Sequence, residues 1–383
     1  MRDIQERTQA LLDEIVSDRP EVGLQVAAYH HGELIADAWS GVADVQTGRA
    51  IDADTVFVTA SVSKGVLATV VHLLAERGQL DYDAPIADVW RGFERHGKAG
   101  VTTRHVLSHS AGLAHLPLDV TPSDVVDWDR MCAILADSTP AWTPGMKTGY
   151  HALTFGWLLG EVVRRVDGRP VDQVLAEDVC APLGLDSLWF GMPESAASRV
   201  ARTDFIDPPP PPTSPNNTAP TIGDADAAYA ASAVPPGLLP LGALVNRPEF
   251  PRAVVPAAGG VANARSLARL YASLIGDGVD GRRLLPETRV RTATTLQTEA
   301  VDVVVGVAWP KAMGYFLGFE PAVQTCISPT AFGHTGAGGF TAFADPARDL
   351  AFAVCKTHML SVIDRIDDPA RRFERLLHEL LPG

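Results

Sequence analysis

Ser61 and Lys64 stand three residues apart at the head of an apolar-periodic segment, in the string Ser61-Val62-Ser63-Lys64. Side chains at i and i+3 share one helix face, so hydroxyl and amine can touch. A serine hydroxyl is a weak nucleophile until a base takes its proton. A lysine can be that base where burial and nearby positive potential lower its pKa. A helix N-terminus supplies such potential and aims a backbone N–H at the place where an acyl oxyanion would form. With 17 serines and 5 lysines in 383 residues, chance gives roughly 0.2 such spacings. An ordinary helix start capped by Ser61 has the same pattern, so the pair needs company.

Two other stations supply it. Tyr150 sits in Trp142-Thr-Pro-Gly-Met-Lys-Thr-Gly-Tyr150-His151-Ala152, where Pro144-Gly145 and Gly149 predict a loop just before a helix. A tyrosine sharing a proton with a lysine can act as general base and then general acid; core packing is the plainer alternative for a tyrosine on its own. The third station is Gly333-His334-Thr335-Gly336-Ala337-Gly338-Gly339, running into a strand-like stretch. Glycines at a strand edge admit close approach of a substrate to the backbone, which can then offer a second oxyanion N–H.

Other patterns carry less. Ser108-His109-Ser110-Ala111-Gly112 lacks the first glycine of the nucleophile elbow G-x-S-x-G. His105, His109 and His115 come without an H-E-x-x-H, which favours hydrogen-bonded histidines over a metal site. Cys132, Cys180, Cys326 and Cys355 are scattered, as expected of buried reduced thiols rather than a disulfide framework or zinc site. No metal or cofactor is expected.

The positioning elements follow from periodicity. Residues 23–30 and 33–40 are strand-like runs joined through His31-Gly32, and 339–344 and 350–355 repeat that hairpin pattern around 345–349. Helical spacing marks Lys64 to Gly78, Thr154 to Val166, 264–275 behind an Asn263 cap, and about Pro369 to Leu381. Strands at both ends with helices between predict an antiparallel sheet covered by helices, in an α/β (α+β) fold. The expected division is one lobe from residues 1–60 and 256–383 and a mainly helical lobe from 61–255. Between Ala201 and Pro256 lie 13 of the 29 prolines. That stretch is expected to form no regular core element, and its part from Pro208 to Pro220 is expected to border the substrate entrance.

A formal net charge of −14 excludes a polyanionic partner such as nucleic acid. The N-terminal stretch lacks an apolar signal core, and no apolar run is long enough to cross a bilayer. The expectation is a cytoplasmic protein with no membrane partner, in which the sequon at Asn216 is idle.

Taken in order, the three stations resemble the serine β-lactamase and penicillin-binding superfamily, with its S-x-x-K, tyrosine-based and K-T-G or H-T-G motifs. Arg77-Gly-Gln-Leu-Asp-Tyr-Asp-Ala-Pro85, Thr102-Thr-Arg-His-Val-Leu-Ser-His-Ser-Ala-Gly-Leu113 and Pro182-Leu-Gly-Leu185 are similar too, and the likeness covers most of residues 20–360. It is nearest to class C β-lactamases and the family VIII carboxylesterases. The resemblance implies Ser61 as nucleophile, Lys64 and Tyr150 as the proton-transfer pair, and the N–H groups of Ser61 and Ala337 as oxyanion hole. His334, Thr335, Gly336 and His151 would face the substrate. It also implies the sheet-and-helix fold, a helical lobe, and a site between them.

Two departures bear on substrate. The second motif reads Tyr150-His151-Ala152 where lactamases have Tyr-x-Asn, and the third carries His334 where they mostly carry lysine. Both favour hydrolysis of small neutral carboxylic esters over β-lactams. On this reading anionic substrates should bind better as pH falls through the His334 pKa. Acyl transfer to an alcohol or amine is the alternative, followed by a β-lactamase or D-peptidase and by a non-catalytic binding protein. The partner is a small-molecule ester, and an oligomer is compatible with the sequence.

Overall fold

The computed structural model describes residues 2–20, 22–206, 232–320, 325–326, 328–360 and 368–381. Its main sheet has seven strands, all paired antiparallel. Across the sheet they run Arg49–Ala50, Glu33–Asp44, Gly23–His30, Leu350–Lys356, Phe340–Asp345, Phe332–Gly336 and Phe316–Leu317. The first hairpin turns at His31 and Gly32, both at positive φ (51° and 74°), the conformation that a tight two-residue hairpin needs. Strands from the two ends of the chain meet at the centre, with Val26 opposite Val354 and Ala28 opposite Phe352.

Both faces are covered, so the strands are apolar on both sides. Leu24, Val26, Ala28, Phe352 and Val354 pack with Leu12 and Ile15 of helix Arg2–Asp18 and with Phe373 and Leu377 of helix Pro369–Leu380. The alternate residues Ala27, Ala342, Ala344, Ala351 and Ala353 are small, which seats helix Ala264–Ala272 close to the opposite face. That helix starts at Asn263, whose side chain accepts the Ser266 N–H at 2.8 Å, the cap expected from sequence.

Two helices carry the site. Ser63–Glu76 is buried almost throughout and stops where Gly78 takes φ 70°. Thr154–Asp167 packs against it through an apolar stripe including Phe155, Leu158, Leu159 and Val162, and ends at Gly168 with φ 90°. The expectation for the proline-rich stretch needs correction at its ends. Asp204–Ile206 forms a strand parallel to His358–Leu360, Leu241–Val245 is a helical turn, and Leu244, Phe250 and Val255 are core residues. Pro240 immediately precedes that turn, a place where a missing N–H costs nothing. Residues 208–220 and the entrance role expected of them lie outside the described residues. Among the described residues no helix is long and apolar enough to cross a membrane.

Candidate active site

Ser61 lies in a 3-10 turn, Ala60–Val62, that runs directly into helix Ser63–Glu76. Thr59 ties this turn down: its N–H and its hydroxyl both donate to Gly260 O, at 2.8 and 3.0 Å. Ala60 then takes φ 48°, a conformation few non-glycine residues adopt, and the chain reverses into the helix. Ser61 is left half-buried, whereas Lys64 is fully buried. Lys64 Nζ stands 3.1 Å from Ser61 Oγ, 2.7 Å from Ala152 O and 2.8 Å from Ala257 O.

The partner set suits either protonation state: an ammonium can donate to both carbonyls and to Ser61 Oγ. Two carbonyls can only accept, so they take two N–H bonds from Nζ; the hydroxyl can donate to a lone pair. A neutral amine, with two N–H groups and one lone pair, satisfies them too, with Ser61 Oγ–H turned to the lysine. Burial alone pushes the Lys64 pKa well below the usual lysine range. This geometry can take a proton from serine.

The Tyr150 ring lies over the amine, 4.8 Å from Nζ to its centroid. His109, Trp309, Phe316 and His334 surround it at centroid distances of 4.9, 5.9, 6.1 and 6.2 Å. The loop beneath is held by backbone: Gly149 N–H donates to His109 O and Gly145 N–H to Ser110 O, both at 2.9 Å. Gly149 must be glycine, since a Cβ would lie 2.5 Å from the Trp142 ring. Ser108 to Gly112 thus cradles the tyrosine loop. Ser108 Oγ is spent on Arg104 O and Ser110 Oγ, at 2.8 and 2.9 Å.

His151 is placed differently from its expected part facing substrate. Its ring is fully buried, with Nε2 accepting the Leu113 N–H (3.2 Å) and Nδ1 therefore donating to Gly149 O (2.7 Å). Both nitrogens are consumed by backbone, and burial lowers its pKa to about 4. As placed, it braces the loop.

The strand Phe332–Gly336 brings the third station alongside the serine turn. A Cβ on Gly336 would sit 2.8 Å from Thr59 O and 3.3 Å from Ala60 Cβ, so only glycine permits this approach. Thr335 and Ala337 are half-exposed, on the alternate positions of the strand and its continuation. His334 falls on the other alternation. It packs beside Gly65 of the serine helix and against the Phe316 ring at 4.3 Å, and only 1% of it is exposed. Nδ1 donates to Thr335 O at 2.5 Å, which leaves Nε2 unprotonated, buried and without a partner among the described residues. Burial, helped by Lys64 while it is protonated, lowers the His334 pKa to about 3. The expected rise in anion binding as His334 charges has no basis in this placement, because the ring stays neutral across ordinary pH.

Sequence reading missed Asp302 and Lys311, both fully buried. Asp302 Oδ1 accepts the Tyr150 N–H at 3.0 Å, and Lys311 Nζ reaches Asp302 Oδ2 at 2.7 Å and Thr148 Oγ1 at 3.1 Å. One signal existed: Asp302 is the lone charge in Val301-Asp-Val-Val-Val-Gly-Val-Ala-Trp309, and an acid in such a run needs a buried partner. Cys132, Cys180 and Cys355 are buried and free. Among the described residues no group of three or more His, Cys, Asp or Glu could hold a metal ion.

Comparison with known proteins places this geometry among relatives. The Beta-lactamase family model matches residues 9–376. Esterase/beta-lactamase LipL of Mycobacterium tuberculosis is 35% identical over 350 residues, covering 90% of this chain and 79% of LipL. The crystal structure of a family VIII carboxylesterase superposes with a TM-score of 0.87 at 32% identity, over 99% of this chain and 98% of that one. A penicillin-binding protein homologue from Caulobacter crescentus superposes at 0.82 with 33% identity, over 98% of this chain and 96% of the other.

Proposed function

The chain belongs to the Beta-lactamase family, and from that premise we propose that it is a serine carboxylesterase working through an acyl-enzyme on Ser61. The observation that carries the reading is the setting of Lys64, sealed from solvent, bonded to Ser61 Oγ and two carbonyls. Ser61 Oγ attacks the ester carbonyl carbon as its proton passes to Lys64 Nζ. The oxyanion is held by the N–H groups of Ser61 and Ala337, and Thr335 and Gly336 line the same edge. Collapse breaks the C–O bond to the alcohol, which leaves with the proton relayed by Lys64 and Tyr150. Water then gives a proton to the same pair, attacks the acyl carbonyl, and Ser61 departs with its proton restored. In this reading the reaction lies between a lobe of residues 1–60 with 256–383 and a lobe of residues 61–255.

A neutral ester fits better than an anionic β-lactam. His334 is buried and neutral where a lysine would present a fixed charge, and the position two after Tyr150 is Ala152, with no amide to offer. The name carboxylesterase on a 32% identical structure supports the same choice.

The test is intact-mass analysis after mixing with p-nitrophenyl butyrate, alongside Ser61→Ala. We expect an acyl adduct on Ser61 and loss of turnover by at least ~10³ in the variant. An adduct on another residue, or ester hydrolysis surviving in Ser61→Ala, defeats the assignment. A cephalosporin hydrolysed at pH 8 with a kcat/KM equal to that of the ester would defeat the substrate class alone.

A further inference from the structure

The Tyr150 loop and the segment following Asp302 are 152 residues apart in sequence, yet one carboxylate joins them. Asp302 Oδ1 accepts three N–H groups, from Tyr150 at 3.0 Å, Val304 at 2.9 Å and Val305 at 3.1 Å. Its other oxygen is fixed by Lys311 Nζ, which reaches Thr148 Oγ1 as well. A parallel backbone bond, Val303 N–H to Thr148 O at 2.9 Å, runs beside it. Lys311 is itself held: its N–H donates to Thr298 O and its carbonyl accepts from Gln297, both at 2.8 Å. Trp309 and Phe316, which flank the Tyr150 ring, lie two residues before and five after Lys311. One segment therefore fixes the tyrosine's backbone and packs against its ring.

We propose that Asp302, locked by Lys311, is a positioning residue for Tyr150, setting where the phenol stands over Lys64. This rests on the esterase reading above. A loop that needed only filling would gain as much from an apolar pair, because desolvating two charges offsets most of their attraction. What the carboxylate adds is direction: three acceptor bonds that specify one backbone placement. A phenol displaced by an ångström or so transfers protons poorly while substrate still binds.

The experiment is a double-mutant cycle on p-nitrophenyl butyrate hydrolysis, with active sites counted by fluorophosphonate titration. Asp302→Ala should lower kcat per titrated site about 30-fold with KM within about 3-fold. In a Tyr150→Phe background the same change should cost less than about 3-fold, because the group it positions is gone. Asp302→Asn with Lys311→Met keeps an acceptor oxygen without either charge and should restore kcat to within about 5-fold of wild type. Should Asp302→Ala not fold, Asp302→Ser, whose hydroxyl is too short to reach three N–H groups, takes its place in the cycle. An unchanged kcat per site, or equal losses in the two backgrounds, overturns the positioning role while leaving the esterase reading intact. If Tyr150→Phe itself turns over normally, the catalytic reading of Tyr150 falls and this inference falls with it.

Discussion

Lys64 and Lys311 are both sealed from solvent, and both have three polar partners or fewer within reach, but one is given a carboxylate and the other is not. Lys311 meets Asp302 at 2.7 Å. Lys64 meets two carbonyls and a serine hydroxyl. Burial lowers the pKa of each; at Lys311 the Asp302 charge opposes that shift, whereas nothing comparable opposes it at Lys64. The same residue type thus sits beside a counter-ion in one place and, in the proposed reaction, serves as a base in the other, according to what the fold sets beside it. A charged pair holds geometry, and an unpaired amine holds reactivity.

The sharpest way to break this contrast is Lys64→Met. Ester turnover per folded molecule should fall by at least ~10³, while the unfolding temperature stays level or rises. The sign follows from linkage: burial disfavours the charged amine in the native state and not in the unfolded chain, so a lowered pKa costs stability at neutral pH, and methionine removes that cost. Turnover within tenfold of wild type would show that Lys64 is not the base.

Lys311→Met should behave in the opposite sense. It leaves Asp302 buried and uncompensated, a loss of about 3–5 kcal/mol, read as a lower urea midpoint. Adding Asp302→Asn should return most of it. A Lys311→Met protein as stable as wild type would mean that the pair contributes no net charge compensation.

Gly336→Ala tests whether the third station is joined to the serine turn. The added Cβ would meet Thr59 O at 2.8 Å and Phe340 Cβ at 3.0 Å, so strand and turn must separate by a few tenths of an ångström. We expect roughly a tenfold fall in kcat/KM with a modest fall in unfolding temperature. Unchanged kinetics would detach Gly336 from the reaction.

The smallest effect concerns pH. kcat/KM should rise with pH as Lys64 loses its proton, and His334→Asn should leave the shape of that limb unchanged between pH 5.5 and 8.5. His334, with its pKa lowered to about 3, is already neutral throughout that window. Stability should fall in both proteins as pH drops from 7 towards 4. The unfolded chain then protonates histidines that His72 and His151, lowered to about 4, resist in the native state. A limb that moves with His334→Asn would make the histidine a titrating partner of the site.

Much of the fold was legible because its signals are local. The His31-Gly32 hairpin, the Asn263 cap and the stop at Gly78 each depend on residues within a turn of one another. Helix Thr154–Asp167 lies within a residue of its expected end, and Pro369–Leu380 likewise. The excursion was misjudged at its edges because proline count says what a segment lacks, whereas Phe250 and Val255 are buried by what surrounds them.

At the site the division is sharper. The 3-residue spacing of Ser61 and Lys64 is a property of a helix, so sequence alone brought hydroxyl and amine together, and the glycines around Tyr150 and Gly336 announced close approaches. Sequence could not say which way His151 and His334 would turn, since a motif names a residue and not the face of the strand or loop it occupies. It also could not supply the carbonyls of Ala152 and Ala257 around Lys64, or join Asp302 to Tyr150. Those contacts span 88 to 193 residues of chain. A lysine's proton affinity is set by the groups within a few ångströms of it, and only tertiary packing decides which groups those are.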